Sequence, residues 1–337
     1  MKKLKIAYFG TPYFSADFLE KILTDNELPV EVKFIITQPD QPAGRKQTLT
    51  PTPVKEMAKK YGIDVYGHLA GGANLGIPSA RRFKRALMGK NERQNLPNAL
   101  KNIDIALLYA YGKIIPSNLL TIPKLGFWNI HPSLLPKYRG PSPMATPLIL
   151  GDKETGVTLI KMDEQMDHGP IIAQEKYEIK PDDRRPDLEK KLTDLGYEIF
   201  KKTIINCRHR SRPVPTREQD HIHATYTHLL NKNDGFIPFE ILNSIINNRS
   251  SKVESRISKI KDQRSKIYNL FRGLYPWPGI WTKVNINGQE KRLKITDMEC
   301  RDNPRVVPSC ELIIKKVQLE DKKEVDFKIF QKAYLLF

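Results

Sequence analysis

The feature that most constrains the fold is an alternation, through the first half of the chain, of short apolar runs with segments of helical periodicity. Phe14, Phe18 and Ile22, which follow the first run, recur at the spacing of one helix face. Strands are predicted at 6–9, 32–37, 63–66, 103–109 and 126–130, and a second helix at 53–61. This order predicts a Rossmann-like α/β domain, a mostly parallel sheet with helices on both faces. Ligands of such sheets bind beyond the carboxyl ends of the strands, where the strand order reverses.

The chain has 337 residues, enough for two domains. The first is predicted to span 1–206. A polar connector that contains Pro213 and Pro215 predicts a linker over 207–222. The remainder, 223–337, shows short strand-like runs separated by turns, which favours a small OB-like β-barrel. Its predicted strands are 279–284, 292–298, 311–317 and 328–330.

Two stretches interrupt the first domain. Residues 39–51 form a proline-rich segment, predicted to be a long loop between a strand and a helix. Residues 67–96 contain several glycines followed by a basic run from Arg81 to Arg93. This insertion can be a solvated surface segment or a patch that contacts phosphate, and the sequence leaves both open.

The charge balance adds a hint about partners. The chain carries a net charge of +18, and the residues after 200 hold 27 of its 56 basic side chains but only 15 of its 38 acidic ones. A basic protein can bind nucleic acid or an anionic surface, or it can simply be basic. No apolar run has the roughly 20 residues that a membrane-spanning helix needs, so no membrane role is expected.

Candidate catalytic side chains lie at the end of one predicted strand and in a later turn. Alternation along the strand places Asn129 and His131 on one side. An amide beside an imidazole can polarise a carbonyl and stabilise a developing oxyanion. Asp167, in a tight turn, could orient His131 and accept a proton through water. Each residue alone is also typical of a structural strand end or turn, but together they favour a catalytic set.

The segments around these residues resemble a known family. The similarity covers Asn-Ile-His-Pro-Ser-Leu-Leu-Pro at 129–136, Tyr-Arg-Gly at 138–140, and the stretches 151–158, 162–163 and 167–169. On these motifs the chain is similar to the 10-formyltetrahydrofolate-dependent formyltransferases. Further stretches resemble the members that act on tRNA, namely 9–12, 38–45, 50–55, 271–272 and 275–279.

The resemblance implies a site and a reaction. Asn129, His131 and Asp167 would be the catalytic trio, and Ser133, Leu134, Leu135 and Pro136 would lie against the folate, with the pterin near the backbone of 109–115. The loop at 39–51 would insert into tRNA through Arg45, although Lys46 stands where the family usually has glycine. The implied reaction moves the formyl group of 10-formyltetrahydrofolate to the α-amino group of methionyl initiator tRNA, without a metal.

Two other functions stay open at this point. A sugar-nucleotide N-formyltransferase would use the same folate donor and the same trio. A degenerate, catalytically inactive member would only hold RNA. The intact trio disfavours the inactive protein, and Arg45 with the basic C-terminal part disfavours the sugar enzyme. A cytoplasmic monomer is expected.

Overall fold

The computed structural model describes residues 3–43, 47–66, 96–208, 214–246, 254–302 and 310–334. By its internal contacts the chain divides into two compact units. The first comprises 1–143, 155–177 and 189–227, and the second comprises 144–154, 178–188 and 228–337. The domain and linker boundaries expected from the sequence stay a prediction.

A seven-stranded sheet forms the centre of the first unit. Its strands are β1 (Leu4–Gly10), β2 (Val30–Ile36), β5 (Val65–Tyr66), β6 (Ile105–Tyr109), β7 (Phe127–His131), β8 (Glu154–Lys161) and β9 (Ile171–Glu178). Strands β3 (Gln41–Ala43) and β4 (Thr48–Thr50) form a separate two-stranded hairpin. The order is β5-β2-β1-β6-β7-β8-β9. The five strands from β5 to β7 are parallel, and β8 runs antiparallel to β7. The predicted Rossmann-like sheet is therefore confirmed.

The strand order reverses between β1 and β6, because the chain builds outward from β1 to β5 and then returns to the other side of β1. In the register of this pair, Gly10 lies beside Tyr109 at the carboxyl ends. All five residues of β6 are buried, as expected for a central strand that is covered on both faces. In open sheets of this kind, ligands bind beyond the strand ends at such a reversal, which here falls at the ends of β1 and β6.

Helices cover the sheet. In the first unit they are α1 (Tyr13–Thr24), α2 (Pro53–Lys60), α3 (Ser117–Leu120) and most of α5 (Arg185–Arg208), and residues 96–100 are also helical. A further helix, α4 (Ala145–Leu150), belongs to the second unit. On α1, Phe18 is fully buried and its ring packs on Tyr109 and Phe200. Burial of each such side chain contributes about 1.5–3 kcal/mol. The N-terminus of α2 is capped by the Thr52 side chain, which accepts a hydrogen bond of 3.2 Å from the backbone N–H of Lys55.

The second unit contains an antiparallel four-stranded sheet in the order β10-β11-β12-β13. Its elements are α6 (Phe239–Ile246), α7 (Glu254–Leu274), β10 (Ile280–Ile286), β11 (Gln289–Asp302), β12 (Cys310–Leu319), β13 (Glu324–Asp326) and α8 (Phe327–Tyr334). Side chains of β10 alternate between buried and more exposed positions, which is the pattern of a sheet with one face on a core. The expected small C-terminal β domain is confirmed.

Local predictions differ from the structure at two places, and a third lies almost wholly outside the described residues. The strand predicted at 328–330 lies within helix α8, because Phe327 and Phe330 are both buried at helical spacing. The loop predicted at 39–51 contains the hairpin of β3 and β4. The insertion predicted at 67–96 lies outside the described residues except for Leu96, which is buried.

Candidate active site

Strand β7 positions the first two candidate side chains. Asn129 pairs with Leu108 of β6 and Ile160 of β8, and His131 pairs with Thr158 of β8. Both residues are buried: 7% of the surface of Asn129 and 3% of that of His131 is exposed to solvent. Because the neighbouring strands fix the backbone on two sides, the amide and the imidazole have little freedom to move.

The turn between β8 and β9 brings Asp167 to this pair. The Asn129 Nδ2 donates a hydrogen bond to Asp167 Oδ1 over 3.1 Å. The backbone N–H of Gly140 donates to the other carboxylate oxygen, Oδ2, over 2.8 Å. Asp167 itself has a left-handed backbone with φ of 51°, a conformation that aspartate tolerates better than most residues. The structure thus places all three predicted catalytic residues together.

The hydrogen-bond partners of His131 show which of its ring nitrogens carries a hydrogen. The ring Nε2 lies 2.9 Å from the backbone carbonyl oxygen of Tyr138. A carbonyl only accepts, so Nε2 carries a hydrogen. The other nitrogen, Nδ1, lies 3.5 Å from Asp167 Oδ1. A neutral ring would turn a lone pair toward the carboxylate there, whereas a protonated ring would donate to it. The imidazole and the carboxylate therefore lie side by side, close enough to exchange a proton directly or through one water.

The four residues predicted to contact folate follow β7 directly. The Ser133 hydroxyl is fully buried and donates to the backbone oxygen of Lys137 over 2.6 Å. The Thr158 hydroxyl donates to Ser133 O over 2.6 Å and accepts from the Leu135 backbone N–H over 3.1 Å. Leu135 is buried, whereas Leu134 and Pro136 are only partly buried. The loop is therefore held from within, and Leu134 and Pro136 keep accessible surface; contact with folate stays a prediction.

Three loops meet at the carboxyl ends of β1, β2 and β6. The Thr11 hydroxyl and the Gln38 Nε2 both donate to the backbone oxygen of Tyr111, over 3.0 and 2.9 Å. The segment they hold has left-handed backbone at Ala110 and Gly112. A Cβ at Gly112 would lie 2.6 Å from Gln38 Nε2, so glycine permits this close approach. This is the backbone near which the resemblance places the pterin.

The predicted tRNA-binding residue, Arg45, lies outside the described residues. The base of its loop is described. Lys55 Nζ donates to both carboxylate oxygens of Asp40, over 2.8 and 2.9 Å. This ion pair ties the start of the β3–β4 hairpin to the N-terminal turn of α2, and so fixes where the loop leaves the sheet.

One buried acid in the first unit was not predicted from the sequence. Glu189 of α5 is 7% exposed, and burial raises the pKa of its carboxyl to about 7. The Tyr13 hydroxyl contacts its Oε2. No local pattern marks this residue, because an acid in a helix with helical apolar spacing normally faces solvent. Burial has similarly raised the pKa of the Tyr109 hydroxyl above its usual value.

Across the described ranges, no group of three or more His, Cys, Asp or Glu side chains could hold a metal ion. Over the same ranges, no helix is both long and apolar enough to cross a membrane.

Comparison with known proteins identifies the class. The family model described as formyl transferase matches residues 3–204, and the model of the formyl transferase C-terminal domain matches 249–309. The chain belongs to the formyl transferase family, and it is an enzyme of that class.

Its curated relatives define the particular group. Methionyl-tRNA formyltransferase of Caldicellulosiruptor saccharolyticus is 37% identical over 88% of this chain and 80% of the relative. The enzyme of the same name from Kosmotoga olearia is 33% identical over 89% of this chain and 81% of the relative. Within the family the chain is therefore grouped with the methionyl-tRNA formyltransferases.

A solved structure shows the same fold at lower identity. An N-formyltransferase from Helicobacter canadensis, in complex with folinic acid and dTDP-3-aminofucose, aligns with a TM-score of 0.53 and 20% identity over 94% of each chain. This likeness supports the fold only.

Proposed function

We propose that the protein transfers the formyl group of 10-formyltetrahydrofolate to the α-amino group of methionine on initiator tRNA. The observation that carries the chemistry is the meeting of Asn129, His131 and Asp167 at the end of β7. The acceptor follows from the curated relatives, which are named for methionyl-tRNA and match nearly the whole chain.

The reaction needs stabilisation of negative charge on the formyl oxygen. The neutral amine of the methionyl group attacks the formyl carbon, and the carbonyl electrons move onto that oxygen. The Asn129 amide has two N–H donors, of which one is used by Asp167, so the second can bind the oxyanion. His131 lies beside the same carboxylate, and in its protonated form it would add positive charge at this point. Donors fixed before the reaction avoid the cost of reorganisation, which is the main source of such stabilisation.

The proton balance falls to Asp167 and His131. The attacking nitrogen becomes positively charged and must lose a proton, while N10 of the folate must gain one as it leaves. Asp167 can accept the first proton, directly or through water, and hold His131 in its orientation meanwhile. The pair then returns the proton to N10. Formyl transfer is complete when the bond from the formyl carbon to N10 breaks, with no covalent enzyme intermediate.

Binding of the two substrates is assigned to separate parts of the chain. The folate would lie against Ser133–Pro136 and the backbone of 109–115. The tRNA would contact Arg45 of the 39–51 loop and the basic C-terminal part. The protein would act as a monomer in the cytoplasm, where charged tRNA is available.

A sugar-nucleotide acceptor is the second candidate. It is favoured by the fold shared with the Helicobacter canadensis enzyme, whose complex holds an amino-sugar nucleotide. At 20% identity this neighbour is more distant than the curated relatives at 33–37%. The tRNA acceptor is therefore preferred.

An acceptor competition tests the proposal. The purified protein is assayed with 10-formyltetrahydrofolate and, separately, methionyl initiator tRNA, methionyl elongator tRNA and dTDP-3-aminofucose. We expect formylation of the initiator tRNA, with much slower reaction of the other two. Turnover of the amino sugar alone would contradict the proposal, and so would the absence of turnover with all three.

A further inference from the structure

The segment after helix α5, predicted from the sequence as part of a linker, is hydrogen-bonded at several points to strand β9 and to the loops around the candidate active site. Arg217 and Ile171 exchange two backbone hydrogen bonds of 2.7 and 2.8 Å. Further along, Arg139 donates its backbone N–H to Thr225 O over 2.9 Å and accepts from Thr227 N–H over 2.8 Å. Residues 214–227, which we name the connector, are thus a fixed part of the first unit.

One connector side chain reaches the turn that carries Asp167. Gln219 is 5% exposed. Its Nε2 donates to the backbone oxygens of Asp167 and Gly169, over 2.9 and 2.8 Å. Its Oε1 accepts from the Arg139 guanidinium over 2.7 Å. Since carbonyls only accept and arginine only donates, these partners fix which end of the amide is which.

Arg139 is itself held in place. The residue is 2% exposed, and its guanidinium donates to His221 Nδ1 over 2.8 Å. It also lies 5.9 Å from the centre of the Tyr226 ring, within the range of a cation–π contact. The His221 ring stacks at 3.9 Å on that of His168, the residue between the two carbonyls that Gln219 binds. Arg139 therefore anchors Gln219 from the side opposite the turn.

The two bound carbonyls bracket the backbone that aims the catalytic carboxylate. Asp167 has a positive φ of 51°, and rotation of its backbone would move Oδ1 away from Asn129 and His131. Gly169 closes the turn against Lys161, since a Cβ there would meet the Lys161 backbone oxygen at 1.9 Å. Asp167 also donates nothing from its own side chain to fix this conformation when ionised. Asp163 bonds to Gln165 and His168 within the turn, but the donor to the Asp167 and Gly169 carbonyls comes from outside it, from Gln219.

We infer that Gln219, anchored by Arg139, is a positioning residue for Asp167 in the formyl-transfer reaction. The inference rests on the catalytic role proposed for Asp167. Gln219 touches no reacting atom; it acts by holding the carbonyls of Asp167 and Gly169, and through them the distance from the carboxylate to His131. The connector thereby supplies part of the catalytic geometry.

The substitution Gln219→Glu tests this with little change in shape. A glutamate can still accept from Arg139 but, when ionised, cannot donate to the two carbonyls. We expect kcat to fall about 10- to 100-fold, the loss typical of small misplacement of a catalytic group, while KM for 10-formyltetrahydrofolate stays unchanged. Glu218→Gln, at the exposed neighbouring position, is the matched control and should keep the parent kcat.

A double-mutant cycle separates positioning from general destabilisation. Gln219→Glu is combined with Asp167→Asn, and kcat is measured for the parent, both single variants and the pair, after circular dichroism shows that each is folded. If Gln219 acts through Asp167, it should change kcat less than about twofold once the carboxylate is gone. Gln219→Met, of similar length and without charge, replaces Gln219→Glu in the cycle if the glutamate variant does not fold.

The outcomes are distinguishable. Parent-like kcat in the Gln219 variant, with a slow Asp167→Asn, overturns the positioning role and leaves the proposed function intact. Fully multiplicative losses in the double variant overturn it as well, since the two residues then act independently. Parent-like kcat in Asp167→Asn refutes the catalytic assignment itself, and the positioning role with it.

Discussion

The Asn129 amide and the Asp167 carboxylate share a hydrogen bond of 3.1 Å although 38 positions separate them in the chain. Two features bring them together. Strand β8 runs back antiparallel along β7, and the turn after β8 places Asp167 at the level of Asn129. The Asn129 amide donates one N–H to the carboxylate and has a second N–H that can bind a carbonyl oxygen. The carboxylate can accept a proton at the same place.

Replacing the catalytic carboxylate should slow the reaction without unfolding the protein. In Asp167→Asn, the new amide oxygen can still accept from the Gly140 N–H, but it cannot take a proton. We expect kcat to fall at least about 100-fold. Initial rates at saturating donor and tRNA measure this, and Glu164→Gln, an exposed carboxylate on the same turn, is the control. A near-parent rate would return Asp167 to the role of a simple turn residue.

The glycine that closes the turn should tolerate no side chain. A Cβ at Gly169 would lie 1.9 Å from the Lys161 backbone oxygen, so Gly169→Ala must push β8 and the turn apart. We expect a loss of about 1–3 kcal/mol in the free energy of unfolding, as for other overpacked sites, together with reduced kcat. Urea denaturation and a rate assay measure the two effects. Gly62→Asn, where no atom lies within 4 Å of the added Cβ, should cost less; equal losses would contradict the steric argument.

The buried Glu189 should make stability depend on pH. Burial raises its pKa to about 7, above the value of 4.5 for an exposed glutamate. The folded state therefore favours the protonated acid. The stability that the protonated Glu189 contributes to the folded state is fully present below about pH 4.5. It is lost as the pH rises through 7, because a charge must then form in a buried position.

The variant Glu189→Gln removes this titration while keeping an oxygen for the Tyr13 hydroxyl. Relative to the variant, the parent should lose about 2–3 kcal/mol of unfolding free energy between pH 4.5 and pH 8. Chemical denaturation of both proteins at the two pH values gives the difference. Parallel pH curves for parent and variant would show that Glu189 does not titrate in this window.

The loop arginine should matter for tRNA and not for folate. Arg45→Ala is expected to raise KM for methionyl initiator tRNA about tenfold, the value of one lost charge-assisted hydrogen bond. Binding of 10-formyltetrahydrofolate should stay intact. Steady-state kinetics with each substrate varied in turn measure this, and Lys59→Ala, an exposed cation on α2, is the control. Equal weakening for both substrates would refute the assigned role.

Much of the site could be predicted because its signals are local. Alternation along one strand places Asn129 and His131 on the same side, and a turn between two strands holds Asp167. Gln219 could not be found this way, since its partners lie about 50 positions away and only tertiary folding brings them near. Similarly, the apolar residues at 328–330 are too few to distinguish a strand from a helix. The structure forms a helix there because it buries both Phe327 and Phe330, which lie on one face of a helix.

The path of the chain between its two units limits how the C-terminal unit can be exchanged for that of a relative. Segments 144–154 and 178–188 belong with the C-terminal unit although they precede it by many residues. Within that unit Arg272 donates to the backbone oxygens of Lys180 and Asp183, over 3.1 and 3.2 Å, and Gly273 packs closely against Ile149. A chimera that trades only the residues after 227 for those of a relative would therefore separate each of these groups from its natural partner, so a functional swap has to transplant three pieces at once.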